Sequence, residues 1–552
     1  MAATHVTLRP DSTGSLDASW VEHLASFAVT SPYAPASEPI APFTGEPLAT
    51  LPMSTTDDVA VAYAGARAVQ PGWAHQPPSA RAETLLRFHD LVLENQVELL
   101  DLIQLETGKS RRAAFEELVD VCTAARFYAR KAESALRTRR HFGAYPVFTQ
   151  VLVSRRPVGV VGVLAPASAP LSAGFTDALT ALVAGNAVVL RPHPATSLSA
   201  LYAAELLQRA GCPPRMLQVV LGPGDSIGTA VVDGADHVCF AGTARVARWV
   251  AARAAGRLVH ANVQVIGAGA AYVAADADVP RAAAGVVRAL TSVGSLSCYV
   301  HRVFVHRSVA DVFTQQLVDA VAQVRIGPAL TYDPQMGSLA SASQLSAVQS
   351  RIEHAVSSGA TLLVGGHARP DLGPYFVEPT ILAGGAGQAA SAVAPAFQAK
   401  QGPVAADRPL RAPASSEYGF AEVPGPVAVV SPVGSSAEAS RAIDAESGIN
   451  TVYLWTRDRL EGSRIARRMN AGCVVLNGHD SSLSGGSAPT GGVRGAGLGR
   501  RHGVEGLLAY TDPQSVATWR GPWTPGATSE RTDRDAGLIT RSLRVMKAIG
   551  RP

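Results

Sequence analysis

An α/β fold with parallel sheets is predicted for this chain by three observations. Short β-branched runs alternate with longer helical stretches, the runs are continuously apolar as in strands buried on both faces, and a second set of alternations begins near Val265. With 552 residues and 47% hydrophobic content the chain can bury a sizeable core, and it is long enough for two or more intertwined domains.

From about Ser79 to Ser134 apolar residues recur at helical spacing, as in Leu86, Phe88, Leu91 and Leu93, then Leu99, Leu100, Leu102 and Ile103. Charges fill much of the other face, which predicts amphipathic helices packed on something larger. Arg139 to Arg156, with Tyr145, Val147, Thr149, Val151 and Val153 alternating, predicts a protruding strand pair. Val158–Val163, a helix through Leu179, Ala187–Leu190, a helix through Leu207 and Leu217–Val220 then form a Rossmann-like rhythm.

The second unit continues through Val303–Val305, Leu317–Val324, Ser346–Ala360 and Val427–Val430. Between Ala383 and Ala421 the pattern dissolves into Ala, Gly, Pro, Ser and Gln, a composition expected of a surface loop. The tail from Trp519 opens with Gly521, Pro522, Pro525 and Gly526. It closes with a basic amphipathic helix carrying Leu538, Leu543, Val545 and Met546, suited to a neighbouring subunit or to a membrane surface.

Composition removes several function classes. The 48 basic and 44 acidic residues leave a net charge of +4, too small to imply a nucleic-acid partner. Cys122, Cys212, Cys239, Cys298 and Cys473 stand singly without a Cys-x-x-Cys pair, which excludes a zinc ribbon and argues for a reducing compartment. No signal-peptide core or spanning apolar run is found, so a cytoplasmic location is expected.

Three blocks carry a resemblance in order and spacing: Pro157-Val158-Gly159-Val160-Val161-Gly162-Val163, Ala184-Gly185-Asn186 through Arg191-Pro192, and Gly491-Gly492-Val493-Arg494 with Gly499-Arg500. With them the chain resembles the NAD(P)-dependent aldehyde dehydrogenase superfamily, from roughly Phe43 to Trp519. The closing segment from Gly486 to Leu508 looks most like the succinate-semialdehyde dehydrogenase branch. This resemblance implies an aldehyde-dehydrogenase-like α/β fold: a Rossmann-type cofactor domain (20–138 and 157–264), an α/β catalytic domain (265–509), a small β oligomerisation element (139–156 and 510–519) and a tail (520–552). It also implies a homo-oligomer, dimer or tetramer, with the hairpin and the Tyr510–Trp519 strand taking part.

The family attacks an aldehyde carbonyl with a cysteine thiolate, steadies the oxyanion with an amide, passes hydride to nicotinamide and hydrolyses the thioester with a glutamate base. Carried onto this chain, the nucleophile position is Ser297, five residues before Arg302, and its neighbour Cys298 is either a packed side chain or a substitute nucleophile. The base position is Gln264, where an amide has no usable proton affinity near neutral pH. The oxyanion position is Ser168 in Pro166-Ala167-Ser168-Ala169-Pro170, where the family has asparagine. Thr291, six residues before Ser297, stands where some relatives place a carboxylate-binding arginine, and Arg155, Arg156 and Arg302 are other cations for that task.

For the cofactor, the resemblance places Gly222 and Gly224 in the turn after Leu217–Val220, and Gly242 and Thr243 at a helix start facing the pyrophosphate. Arg191 replaces a lysine near the adenosine ribose, Pro194 replaces an acid that would bind its hydroxyls, and Glu422 stands where the family holds the nicotinamide ribose, with Pro424 for its aromatic neighbour. With Arg191 and His193 close by and no acid to repel a 2′-phosphate, NADP is favoured over NAD. Two functions are open: a catalytically impaired member of the family, and an aldehyde or succinate-semialdehyde dehydrogenase of altered mechanism.

Overall fold

A computed structural model describes residues 16–143, 148–266, 269–292, 299–384, 425–446, 448–478, 486–520 and 529–548. After a short helix, Ala18–Ala25, and the antiparallel pair Ala36–Ser37 and Leu51–Pro52, the chain forms the helices Thr56–Ala74, Pro78–Glu94, Gln96–Thr107 and Arg111–Leu136. Thr56–Ala74 starts on a capping box in which Thr55 accepts from Asp58 N and the Asp58 carboxylate accepts from Thr55 N at 2.8 Å. Pro78–Glu94 buries Leu85, Phe88 and Val92, spaced three and four residues apart. Leu86 and Leu93, read from sequence as part of the buried stripe, instead lie about two-fifths exposed, at 41% and 40%; each is one position round the helix from the face that packs. Full burial of each of those core side chains contributes about 1.5–3 kcal/mol.

Two large sheets follow. The first has the order Gly497–Leu498, His260–Val265, His237–Gly242, Val160–Leu164, Ala187–Arg191 and Leu217–Val219, parallel throughout except for the short Gly497–Leu498 strand. Its strands Val160–Leu164 and Ala187–Arg191 are buried at every position, as their unbroken apolar sequence predicts, and the helix Pro170–Ala184 between them is buried all round. The second sheet runs Thr361–Val364, Thr380–Ala383, Val427–Val433, Val300–His306, Gly269–Val273, Thr451–Trp455 and Cys473–Leu476, with only the first pair antiparallel.

The predicted protruding pair is present as Arg139–Phe142 and Thr149–Pro157; Tyr145 and Val147 lie outside the described residues. Thr149–Pro157 also pairs with Thr511–Trp519 over its full length, from Pro157↔Thr511 to Thr149↔Trp519, so the two expected oligomerisation segments form one three-stranded sheet. Thr380–Ala383 takes the first residue of the predicted loop into the second sheet, and 385–424 lie outside the described residues. The tail forms the helix Ser529–Ala548. Among the described residues no helix is long and apolar enough to cross a membrane, and no cluster of His, Cys, Asp or Glu could hold a metal ion.

Gly497 shows how the late segment reaches the first sheet. Its φ of +142° is open to glycine, and a Cβ there would lie 2.2 Å from the Val263 carbonyl oxygen. Without a side chain the backbone pairs directly beside Gln264.

Candidate active site

Three chain segments leaving the ends of adjacent parallel strands meet here. Val160–Leu164 ends at the loop bearing Ser168, His237–Gly242 ends at Thr243, and His260–Val265 carries Gln264 in register with Ala241. Ala169, Ala173 and Ala241 form a small apolar cluster with Ile266 packed on it, and Ile266 N donates to the Gly242 carbonyl at 2.9 Å. This packing ties together the segments that hold the expected oxyanion, base and pyrophosphate positions.

The polar atoms at these positions are left open. Among the described residues Ser168 Oγ is buried without a hydrogen-bond partner, and the half-buried Gln264 carboxamide has none either. Thr243 is the N-cap of the helix Ala244–Gly256, yet its buried Oγ1 makes no capping bond. A buried polar group left unpaired costs about 1–3 kcal/mol, which suits atoms that meet a ligand.

A buried ion pair braces the Ser168 loop. Lys109 Nζ pairs with Glu117 Oε1 and donates to the Ser168 carbonyl at 2.6 Å, while Glu117 Oε2 accepts from Leu171 N at 3.0 Å and Ser172 N at 3.1 Å. The carboxylate thereby satisfies two orphan donors at the start of the helix Pro170–Ala184. A second buried network fixes the same helix from the late segment: Arg501 Nε donates to Asp177 at 3.0 Å, Arg501 Nη2 donates to the Ser172 and Ala173 carbonyls, and Tyr510 donates to Asp177 at 3.0 Å. Sequence reasoning missed Lys109, Glu117 and Asp177 as supports. Their one sequence signal is charge within or beside otherwise apolar helical runs.

The nucleophile segment is bounded rather than seen. Ser297 and Cys298 lie in 293–298, outside the described residues, and so does Glu422. Before the gap, Thr291 donates to its own helix at the Val287 carbonyl, 3.0 Å. After it, Arg302 and His301 are buried on Val300–His306 and both engage Glu446: Arg302 Nε lies 2.6 Å and His301 Nε2 3.1 Å from its carboxylate, and His301 Nδ1 donates to the Gly269 carbonyl at 2.8 Å. Arg302 is therefore a strand-end anchor here, not a cation presented to substrate. Arg155 and Arg156 lie on the Thr149–Pro157 strand of the separate three-stranded sheet.

Burial pushes the Glu446 carboxyl up, but the hydrogen bond and charge of His301, then Arg302, outweigh it and hold the pKa below the ordinary 4.5. A depressed carboxylate contributes stability above its unfolded value, and that contribution is lost as pH falls through the folded one. Glu446→Gln should cost about 2 kcal/mol near neutral pH. The cost should shrink as pH drops below 4.5, read as the wild-type minus variant difference in urea unfolding; a pH-independent difference would contradict the assignment.

At the far edge, Arg191 donates from Nε (3.0 Å) and Nη2 (2.7 Å) to the Gly222 carbonyl and is buried. It braces the glycine turn from inside. His193 is exposed, and its Nδ1 accepts from Ala195 N at 3.2 Å. Gly224 opens one wide helical turn, Gly224–Gly228, ahead of Thr229–Gly234, and Gly242 ends its strand. Gly222 has φ +144°, and a Cβ would lie 2.6 Å from Ile227 Cγ1. Gly222→Ala should lose about 1–3 kcal/mol in urea denaturation and weaken any ligand of the turn; an unchanged midpoint would refute the strain.

Comparison with known proteins agrees with this architecture. A model of the aldehyde dehydrogenase family matches residues 31–405 and 411–516. A Mycolicibacterium smegmatis protein named putative succinate-semialdehyde dehydrogenase (NADP+) is 38% identical over 481 residues, covering 87% of this chain and 88% of that one. The mitochondrial succinate-semialdehyde dehydrogenase of Oryza sativa subsp. japonica is 29% identical over 479 residues, covering 85% and 84%. The crystal structure of Mycobacterium tuberculosis aldehyde dehydrogenase complexed with NAD+ superposes with a TM-score of 0.77 at 27% identity, covering 90% of this chain and 97% of that one. On sequence and fold together, the chain belongs to the aldehyde dehydrogenase family.

Proposed function

We propose that this chain is an aldehyde dehydrogenase family member that keeps a nicotinamide-nucleotide site but is impaired in thioester chemistry. The observation that carries the reading is that the segments bearing Gln264 and Ser168, at the base and oxyanion positions, are joined by one alanine cluster and both carry substitutions. An amide cannot take a proton from water near neutral pH, and a serine hydroxyl lacks the fixed donor direction of an amide. Ser297 at the nucleophile position adds a third loss, because a hydroxyl needs the base that Gln264 does not supply.

Nucleotide binding is supported by the unpartnered Thr243 Oγ1 at a helix N-terminus and by the glycine turn at Gly222 and Gly224. A bound nicotinamide would supply the hydride acceptor. These residues would hold its phosphates, while Arg191, already given to the Gly222 carbonyl, would act by shaping the turn. We favour NADP, because Pro194 offers no carboxylate to repel a 2′-phosphate and His193 lies exposed beside it. A homo-oligomer and a cytoplasmic location belong to the same reading.

Titration of NADP and NAD against the purified protein, followed by thermal shift, tests the nucleotide site; stabilisation by NADP at lower concentration than NAD is expected, and no shift with either would remove it. The similarity to proteins named succinate-semialdehyde dehydrogenases favours a second reading, an active enzyme using Cys298. NADP reduction with succinate semialdehyde that disappears in Cys298→Ala would replace the impaired reading with that one.

A further inference from the structure

One face of the helix Arg111–Leu136 carries two carboxylates where three other elements of the site meet it. Glu116 and Asp120 stand four residues apart on that helix, so their side chains are neighbours. Glu116 Oε1 accepts from Arg288 Nη2 at 2.8 Å, and Arg288 lies on Val279–Thr291, the helix whose end comes six residues before Ser297. Asp120 Oδ2 accepts from Thr176 Oγ1 at 3.3 Å, on the helix Pro170–Ala184 that follows Ser168, and Asp120 Oδ1 lies 3.3 Å from His502 Nε2 in the late segment. Glu117, between them, is the carboxylate that accepts from Leu171 N and Ser172 N, so this face adjoins the Ser168 loop.

The open polar atoms here are acceptors. Glu116 Oε2 is buried and has no partner among the described residues. The His502 side chain is 8% exposed, and its Nδ1 is likewise unpartnered among them. Burial lowers the His502 pKa against the opposing charge of Asp120, so the ring is neutral near pH 7. Asp120 draws the ring proton to Nε2, which leaves a lone pair on Nδ1. Arg288 is bound to Glu116 and Arg501 to Asp177, so among the described residues Asp120 has two neutral partners and no paired cation. We infer that the ligand of this face is a small aldehyde or alcohol bearing a primary ammonium, an inference that rests on the reading of the chain as a family member whose substrate approaches Ser168. An ammonium brings three donors and no acceptor, and it offsets the charge that Asp120 leaves. A dicarboxylic semialdehyde brings acceptors to acceptors and a further negative charge, and the cation at hand, Arg288, is already held by Glu116.

Calorimetric titration of the full chain with 4-amino-1-butanol and with 4-hydroxybutyrate, an unreactive pair of equal carbon number and opposite charge, is the test. The amine is expected to bind roughly tenfold more tightly than the acid, the scale of one hydrogen bond to a charged group. Glu116→Gln should weaken the amine by a similar factor. Arg288→Gln releases the Glu116 carboxylate and should tighten the amine, a gain that a damaged fold cannot produce. NADP titrated into the same samples reports the nucleotide site separately, so a failure there is distinguished from a failure of the amine preference. The inference is overturned by equal or tighter binding of 4-hydroxybutyrate, by no binding of the amine to the unmodified chain, or by an amine affinity that neither substitution changes.

Discussion

Ser297→Cys combined with Gln264→Glu is expected to raise aldehyde oxidation by at least ~10²-fold over the unmodified protein, because a positioned base alone typically contributes 10²–10⁴-fold. The thiol is partly ionised near neutral pH where the hydroxyl is not, and glutamate is nearly isosteric with glutamine. Gln264 makes no side-chain hydrogen bond among the described residues, so the exchange breaks none of those. Ser168 still limits the restored site, and adding Ser168→Asn should recover part of the roughly 3–4 kcal/mol that one oxyanion donor supplies. Nucleotide reduction with succinate semialdehyde in single-turnover mode is the measurement. If the unmodified protein already turns over as fast as the double variant, impairment at these positions is the wrong explanation of the sequence.

Lys109→Met should destabilise the fold by about 3–5 kcal/mol, the usual cost of removing one partner from a buried ion pair. It leaves the Glu117 carboxylate, 3% exposed, facing no ammonium, and it releases the Ser168 carbonyl. Lys109→Met/Glu117→Leu should lose less than the sum of the two single changes, since no uncompensated charge remains. The loss should not vanish, because Leu171 N and Ser172 N then lack their acceptor. A double-mutant cycle in urea measures the coupling; additivity within about 0.5 kcal/mol would mean that the pair does not act as a unit. Nucleotide binding followed in the same proteins separates a displaced Ser168 loop from a global loss of structure.

Much of the fold was legible because burial writes itself into local pattern. The unbroken apolar runs at Val160–Leu164 and Ala187–Arg191 signal strands covered on both faces, and that is how they lie. Residues 497–498 were harder. Glycine-rich and two residues long, they show no strand periodicity, and they join the first sheet only because Gly497 permits a backbone approach that any Cβ would block. Helix faces were legible to within one residue: Leu86 and Leu93 are as apolar as Leu85 and Val92, and only the partner helices decide which of them is covered.

By itself the sequence determined the family, the order of the blocks, and the identities Ser297, Gln264 and Ser168 on which the proposal of impaired chemistry rests, because residue type and spacing carry that information directly. Tertiary structure alone decided what the charged residues do. Arg191 and Arg302, each readable as a ligand for an anion, are turned inward to the Gly222 carbonyl and to Glu446. Lys109 and Glu117, unremarked in the sequence, hold the loop that carries Ser168. The physical reason is common to all four: a buried charge must find a partner of opposite sign or a fixed dipole, and which one lies within reach is set by strands and helices distant in the chain.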